Sequence, residues 1–216
     1  MNSWINKDTD LYCSFAQTSG NTGCQMINTA FYYYGLNKVY KSFSVDNIED
    51  AIKSVKTLGI KGFAVTMPFK QQVLKYVDEI DDSAKIGAAN TVINKNNKLK
   101  AYNTDFLAAI DYLKCFTNSN FYILGNGGYA LAVKAAAETL CITYINITRK
   151  NWGEIQQLTD CVVFNCTPVE GIKNKLHNSV QFIDCLVSTE TGKQLANLQA
   201  SYQFKLYTGL EFPVGA

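Results

Sequence analysis

The sequence is poor in residues that commonly hold metal ions. Its 216 residues include a single histidine, His177, so no second histidine is available to share a zinc ion. The seven cysteines form no Cys-x-x-Cys pair, and most have apolar neighbours. We therefore expect no metal site and expect His177 to lie in a surface loop. We interpret the cysteines as reduced thiols that pack as small apolar side chains.

Long apolar runs and a strong excess of charge are absent as well. No run approaches the roughly 20 apolar residues needed to span a bilayer, so an integral membrane protein is not expected. The net charge of +2 gives no reason to expect nucleic acid or a membrane surface as a partner. The N-terminal residues lack the basic-then-apolar pattern of a signal peptide, which favours a cytoplasmic location.

The chain instead has the composition and periodicity of an α/β protein. Hydrophobic residues make up 47% and charged residues 18%, a balance typical of a globular fold. Short apolar segments alternate with helical patterns, which predicts largely parallel sheets. The predicted strands cover residues 11–15, 39–43, 62–66, 121–124, 143–148, 162–165 and 182–184. Helices are predicted at 24–35, 71–80, 106–116 and 130–140, with another that Asp46 caps and that ends near Gly59, a hairpin at 91–94 and 98–102, and a polar turn at 117–120.

A glycine-rich turn opens the second half of the chain. Between a predicted strand and a predicted helix stand Gly125, Asn126, Gly127 and Gly128, and Tyr129 follows them. Glycines in this context permit a tight turn and let the backbone approach a pyrophosphate, while the helix N-terminus offers free N–H groups to that anion. The motif is shorter than the full Gly-x-Gly-x-x-Gly, so a tight turn that binds nothing is the alternative interpretation.

The strand after this turn ends in Thr148, Arg149 and Lys150. A site that prefers NAD places a carboxylate about 20 residues beyond the glycines, where it binds the ribose 2′-hydroxyl. Here two cations and a hydroxyl occupy that part of the sequence. They suit the 2′-phosphate of NADP, because a guanidinium can pair with a phosphate through two hydrogen bonds. The alternative is a solvated basic turn.

Residues able to do acid–base chemistry stand at predicted strand ends and loops of the first half. Lys70 follows a strand and Pro68, and Asp105 ends a block at the expected domain junction. If the two meet, the carboxylate can orient the ammonium, and the lysine can exchange a proton with a substrate oxygen. Asn90 and Asn103 can donate and accept hydrogen bonds, which suits recognition of ring hydroxyls. Spacing alone also allows Lys70 and Asp105 to be ordinary surface charges.

Five motifs of the chain resemble those of the shikimate dehydrogenases, in the same order. They are Val65–Lys70, Ile86–Thr91, Asn103–Asp105, Gly125–Gly128 and Asn165–Pro168. The first three resemble the family's most distinctive motifs, and the last two resemble its cofactor-domain motifs. The resemblance covers roughly residues 10–212. It implies an N-terminal α/β substrate domain, residues 1–106, and a small Rossmann-like NADP-binding domain, residues 107–216, with a cleft between them.

The resemblance also implies an activity and the residues that perform it. The family reduces 3-dehydroshikimate to shikimate with NADPH, in the pathway to aromatic amino acids. By motif position Lys70 and Asp105 would be the catalytic pair, and the substrate hydroxyls would be bound by Thr66, Asn90 and Asp105. The implied NADP-binding residues are Gly125, Asn126, Gly127, Gly128, Tyr129, Thr148, Arg149 and Lys150. We expect a small-molecule substrate and a monomer or homodimer.

Two departures from the family pattern concern the substrate site and the C-terminus. The family's Ser-x-Ser-Pro, whose hydroxyls bind the substrate carboxylate, falls on Asn21–Cys24. There Asn21 can still donate a hydrogen bond and Thr22 or Ser19 could substitute for a hydroxyl, whereas Gly23 has no side chain to do so. The family's final helix is expected to be missing, because its substrate-binding glutamine would fall near Ala216. A dehydrogenase of another hydroxylated ring acid and a non-catalytic ligand-binding homologue are therefore alternatives.

Overall fold

The computed structural model describes residues 5–116 and 120–213. Within these ranges the chain forms the α helices α1 Thr22–Tyr33, α2 Ile48–Leu58, α3 Thr104–Leu113, α4 Gly128–Thr139 and α5 Glu190–Thr208. The strands are β1 Asp10–Ala16, β2 Lys38–Ser44, β3 Gly62–Val65, β4 Glu79–Ile80, β5 Thr91–Lys95, β6 Lys98–Tyr102, β7 Phe121–Leu124, β8 Tyr144–Ile147, β9 Val162–Asn165 and β10 Gln181–Asp184. Short 3₁₀ helices lie at Gln72–Tyr76, Asp82–Ala84, Trp152–Gln157 and Ile172–Lys175. No described helix is long and apolar enough to cross a membrane.

The chain divides into two compact units, each with its own sheet. The first unit ends at Thr104 and resumes at Ala200, and the second unit spans Asp105–Gln199. Both breaks fall inside helices, α3 and α5. This division differs from the boundary expected at 106/107 mainly at the C-terminus, because residues 200–216 are grouped with the first unit rather than the second. The mixed α/β class is as predicted.

The first unit contains a mixed six-stranded sheet in the order β2-β1-β3-β5-β6-β4. Strands β2, β1 and β3 run parallel, whereas β5 is antiparallel to both β3 and β6. Strand β6 therefore points the same way as β1, β2 and β3. As a result, the carboxyl ends of these four strands and the amino end of β5 lie along one edge of the sheet.

Helices cover both faces of the first sheet because its strands alternate their side chains. One face presents Phe15 and Phe63 to α2, and the other presents Tyr12 to Ile27 and Phe31 of α1 and to α5. Helix α2 is capped by Asn47, whose side chain accepts a hydrogen bond from the Glu49 N–H at 2.8 Å, so the predicted cap, Asp46, is off by one residue. It ends, as predicted, at Gly59, which adopts a left-handed conformation.

The second unit contains a parallel four-stranded sheet in the order β10-β9-β7-β8. Apolar clusters cover both of its faces: Phe121, Ile123 and Phe164 lie in one, and Leu124 and Val163 in the other. Strands buried on two faces read as continuous apolar runs, and the predicted bounds of β7 and β9 match the structure. The carboxyl ends of the four strands share one edge, which carries the glycine-rich turn.

The prediction of a helix over 71–80 is wrong. The segment forms a 3₁₀ helix, Gln72–Tyr76, and then the short strand β4. Asp78 diverts the chain, because its N–H donates to the Leu99 carbonyl at 2.9 Å and its carboxylate accepts from the Leu99 N–H at 2.7 Å. These bonds hold the segment against β6, where it extends the sheet.

The absence of the family's final helix stays a prediction, but the structure contains a long helix, α5, that sequence reasoning did not predict. Helix α5 has 19 residues. Its second half buries Ala200, Phe204 and Tyr207 against the α1 face of the first sheet. Those residues recur at helical spacing, which is the sequence signal for this helix. The predicted turn at 117–120 lies largely outside the described residues.

All seven cysteines are free thiols. Cys13 and Cys161 are buried, and burial raises the pKa of each thiol above its ordinary value. These two therefore remain protonated and pack as small apolar groups, as predicted. Cys115 and Cys141 are exposed, so the prediction does not hold for every cysteine.

Candidate functional site

The sequence-predicted substrate residues of the first unit lie at one edge of its sheet. Thr66 follows the carboxyl end of β3, Asn90 precedes β5 and Asn103 follows β6. Backbone hydrogen bonds join their loops: the Val65 N–H donates to the Asn90 carbonyl at 2.8 Å, and the Asn90 N–H to the Tyr102 carbonyl at 3.1 Å. Segments that are distant in sequence thus form a single polar edge.

Lys70 is attached to the same edge through its backbone. Its carbonyl accepts a hydrogen bond from the Ala89 N–H at 2.8 Å, which ties the Thr66–Lys70 loop to the loop before β5. Lys70 is half-buried and Thr66 is exposed. Asp105 is buried and follows Thr104 in α3, as the first residue of the second unit. The pairing of Lys70 with Asp105 stays a prediction.

Asn90 is buried, and its amide is held in one orientation. Its Oδ1 accepts from the Thr104 N–H at 2.8 Å, and its Nδ2 donates to Thr104 Oγ1 at 2.9 Å. An amide nitrogen carries two hydrogens, and among the described residues only Thr104 accepts one of them. The second N–H of Asn90 is therefore left for a ligand at this edge.

Two buried residues of α5, which sequence reasoning missed, extend this network. Gln203 Nε2 donates to Thr91 Oγ1 at 3.2 Å and to the Tyr207 hydroxyl at 3.1 Å. Thr91 Oγ1 in turn donates to Asn90 Oδ1, 3.2 Å away. Gln203 thereby supports the orientation of Asn90 from the far end of the chain.

We expect the Gln203→Met variant to bind substrate more weakly. Methionine fills a similar volume but donates no hydrogen bond, so Thr91 is free to turn away from Asn90. For the ring acid that the motif resemblance implies as substrate, the Michaelis constant should rise several-fold while kcat changes less, and stability should fall by about 1–3 kcal/mol. Gln194, exposed on the same helix, provides the matched control Gln194→Met. Steady-state kinetics with an unchanged Michaelis constant would contradict this role.

Asn103 positions its neighbours from a fully buried side chain. Its Nδ2 donates to the Ala88 carbonyl at 2.7 Å, and its N–H donates to Ser83 Oγ at 3.0 Å. These bonds fix the loop that carries Asn90. Asn103 is 0% exposed and supports this loop from inside, and its predicted recognition of ring hydroxyls stays a prediction.

The segment where the family has its Ser-x-Ser pair is exposed. Asn21 lies at the N-cap position of α1, yet its side chain makes no capping hydrogen bond. A Cβ built on Gly23 would meet no atom within 4 Å. Nearby, Ser19 Oγ and Ser44 Oγ lie 3.0 Å apart and share a hydrogen bond. The start of α1 therefore presents the amide of Asn21 and the hydroxyl of Thr22, and no side chain at Gly23.

The glycine-rich turn of the second unit is held tightly against the next loop. Gly125 has φ +109°, and a Cβ at this position would lie 2.8 Å from Thr167 Cγ2. The Gly125 N–H donates to the Ile147 carbonyl at 2.8 Å. Gly127 is the extended N-cap residue of α4, which begins at Gly128. The turn exposes bare backbone immediately before a helix N-terminus, as predicted.

The Asn165–Pro168 motif explains that close contact. Asn165 is buried; its Oδ1 accepts from the Thr167 N–H at 2.9 Å and from the Thr167 hydroxyl at 2.7 Å. Its Nδ2 donates to Asp184 Oδ1 at 3.0 Å. Asn165 thus sets the position of Thr167, and the Thr167 methyl group closes the space beside Gly125.

The other predicted cofactor residues lie around this turn. Asn126 is exposed, and Tyr129 packs near Phe164 with 6.3 Å between ring centroids. Burial raises the pKa of Tyr129 well above its ordinary value, so the phenol stays neutral. The Thr148 N–H donates to Asn151 Oδ1 at 2.8 Å.

Arg149 and Lys150 are exposed at the end of β8. Neither forms a salt bridge with a described residue. Both cations are thus available to an anionic ligand, which agrees with the predicted preference for a 2′-phosphate.

His177 is exposed, as predicted, and its Nδ1 lies 2.8 Å from Ser179 Oγ. In the described part of the chain, no three histidine, cysteine, aspartate or glutamate residues group in a way that could hold a metal ion. The first unit therefore presents a lysine, amides and hydroxyls along one sheet edge, and the second unit separately presents a glycine-rich turn with basic residues.

A two-unit α/β protein with these motifs has the architecture of a dinucleotide-dependent dehydrogenase. The family model described as the shikimate dehydrogenase substrate binding domain matches residues 21–92. A solved shikimate 5-dehydrogenase-like protein superimposes with a TM-score of 0.81 at 30% identity, covering 98% of this chain and 95% of that one. The chain belongs to the shikimate dehydrogenase family.

Two further relatives show how far the similarity extends. The shikimate dehydrogenase-like protein of Haemophilus influenzae is 40% identical over 151 residues, which are 68% of this chain and 56% of that protein. A shikimate dehydrogenase solved in complex with NADP⁺ superimposes with a TM-score of 0.76 at 27% identity, covering 96% of this chain and 92% of that one. The chain spans about half the length of the curated relatives it matches.

Proposed function

We propose that the protein is an NADPH-dependent oxidoreductase that reduces 3-dehydroshikimate to shikimate. The observation that carries this proposal is the polar edge of the first sheet, where Thr66, Lys70 and Asn90 lie on loops joined by backbone hydrogen bonds. The unused N–H of Asn90 suits a ring hydroxyl. Membership of the family, and relatives named shikimate dehydrogenase (NADP⁺), support the choice of substrate and cofactor.

The second unit fits NADP on three observations. Thr167 leaves no room for a side chain at position 125, so only glycine fits there. The bare backbone of the turn can then approach a pyrophosphate. Helix α4 begins at Gly128 and directs its N-terminal N–H groups to the same place. Arg149 and Lys150 are exposed at the end of β8, where a 2′-phosphate needs cations. We propose that these residues, with Asn126, Tyr129 and Thr148, hold the cofactor.

The first unit and Asp105 are proposed to perform the proton chemistry. Bound NADPH supplies the hydride that reduces the substrate carbonyl carbon. Lys70 donates a proton to the carbonyl oxygen, and Asp105 orients the lysine ammonium. Thr66 and Asn90 bind the ring hydroxyls, with Asp105 as a further acceptor. This division of roles follows the motif positions, and the fixed orientation of Asn90 supports it.

Turnover of shikimate tests the proposal. NADPH formation is followed by absorbance in the presence of NADP⁺ and shikimate, with the Lys70→Ala variant as the baseline. We expect clear turnover by the unmodified protein, with NADP⁺ preferred over NAD⁺. Turnover no greater than that of the variant, together with measured NADPH binding, would instead support a ligand-binding homologue.

A dehydrogenase of another hydroxylated ring acid is the second candidate, because of the first turn of α1. Asn21 and Gly23 replace the two hydroxyls that bind the carboxylate in the family. Losing two hydrogen bonds to a charged group costs about 3 kcal/mol, or roughly a hundredfold in affinity. The same assay with quinate and related polyols separates the candidates. A ring acid used more efficiently than shikimate would favour the second.

A further inference from the structure

A lysine outside the predicted cofactor residues reaches the glycine-rich turn. Lys134 lies in the second turn of α4 and is half-buried. Its ammonium donates to Asn126 Oδ1 and to Asn146 Oδ1, each at 2.8 Å. Asn126 is the second residue of the turn, and Asn146 lies in β8. The ammonium therefore bridges the turn and the neighbouring strand.

Asn146 fixes this cation to the backbone of the turn. Its Nδ2 donates to the Ile123 carbonyl at 2.8 Å and to the Gly125 carbonyl at 2.9 Å. With both amide hydrogens used on the backbone, Asn146 Oδ1 must face the lysine. The Lys134 ammonium is thus positioned by the same carbonyl groups that shape the turn.

The Lys134 ammonium forms no salt bridge with a described residue. Both of its acceptors are uncharged amides, and it forms none of the salt bridges of the described chain, whereas Lys38 pairs with Asp10 at 2.7 Å. Glu138, one helical turn further along α4, accepts a hydrogen bond from the Tyr144 hydroxyl at 2.8 Å. Burial lowers the pKa of Lys134, and the nearby Glu138 carboxylate offsets this effect only in part, because it makes no ion pair with the ammonium.

We propose that Lys134 is a further cofactor-binding residue, whose ammonium contributes to binding a phosphate group of the dinucleotide. This inference rests on the proposed use of NADP(H). A phosphate at the turn would be an anion in direct contact with the ammonium, which no described carboxylate is, next to a helix N-terminus that favours the same anion. The three hydrogens of the ammonium allow it to keep both amide contacts and still donate to a phosphate oxygen.

A purely positioning role is the competing explanation. In that case Lys134 only ties Asn126 to Asn146, and its charge is irrelevant to the ligand. The two roles differ in their response to salt. Attraction between the ammonium and a phosphate is screened by dissolved ions, whereas the hydrogen bonds that join Lys134 to two uncharged amides are not. They also differ for arginine, which keeps the charge.

Calorimetric titration with NADPH and with NADH tests the inference on the full chain. The variants are Lys134→Met and Lys134→Arg, with Lys173→Met as the control because Lys173 is exposed. We expect Lys134→Met to weaken NADPH binding about tenfold or more at low salt, with a shallower salt dependence, and Lys134→Arg to retain most of the affinity. Thermal unfolding of each variant shows whether the fold is kept.

The two cofactors identify the phosphate. A greater loss for NADPH than for NADH assigns the contact to the 2′-phosphate, and an equal loss assigns it to the pyrophosphate. Unchanged affinity in Lys134→Met overturns the inference, and so does a loss shared by the arginine variant with an unaltered salt dependence. If the unmodified protein binds neither dinucleotide, the proposed function fails first, and this inference fails with it.

Discussion

Replacing Lys70 with alanine should lower kcat by about 100- to 10,000-fold, which is the usual contribution of a positioned acid or base. The alanine side chain cannot donate a proton to the substrate oxygen. NADPH binding should remain, because the residues proposed to bind the cofactor lie in the second unit. The measurement is kcat by NADPH absorbance, combined with a dissociation constant for NADPH from calorimetry.

The Thr66–Lys70 loop should keep its conformation in this variant, because the Lys70 backbone carbonyl, which alanine retains, accepts the hydrogen bond from the Ala89 N–H. Lys75, exposed on the adjacent 3₁₀ helix, provides the control Lys75→Ala, which should keep full activity. A Lys70→Ala variant that folds, binds NADPH and turns over within threefold or so of the unmodified protein would remove Lys70 from the acid–base role.

The sequence predicts those parts of the fold that depend on local pattern. Strands β7 and β9 are continuous apolar runs bounded by turn residues, and their predicted bounds are correct. Gly59 ends α2 and Gly125 opens the glycine-rich turn, because each adopts a positive φ that glycine tolerates best. Local rules suffice at these positions, since the deciding interactions lie within a few residues.

Long-range bonds account for what the sequence does not reveal. The segment 71–80 has a helical pattern, but Asp78 bonds to Leu99, 21 residues away, and draws the chain into the sheet. Gln203 supports Asn90 through Thr91, from which it is separated by 112 residues. Lys134 and Asn146 likewise belong to different elements. A single sequence carries no signal for such pairs, because each residue is compatible with a solvated surface.

A side chain at Gly125 should disrupt the second unit and its ligand site together. In Gly125→Ala the new Cβ would meet Thr167 Cγ2 at 2.8 Å while φ stays at +109°. Backbone strain of about 1–3 kcal/mol and a similar cost of overpacking add together. The melting temperature should fall by about 5–15 °C. NADPH binding should weaken by at least about tenfold, because the turn must move to relieve the overlap between the new Cβ and Thr167.

Gly153 offers the control for this substitution. It lies exposed in the 3₁₀ helix Trp152–Gln157, where a Cβ would meet no atom within 4 Å and φ is not positive. Gly153→Ala should therefore leave both the melting temperature and the NADPH affinity nearly unchanged. A second variant, Gly125→Ala with Thr167→Ser, removes the methyl group that causes the overlap but keeps the hydroxyl bonded to Asn165. It should regain the part of the stability lost to overpacking and not the part lost to strain. If Gly125→Ala alone melts and binds NADPH like the unmodified protein, the turn is not held by Thr167, and the fit of the second unit to a dinucleotide loses its main geometric support.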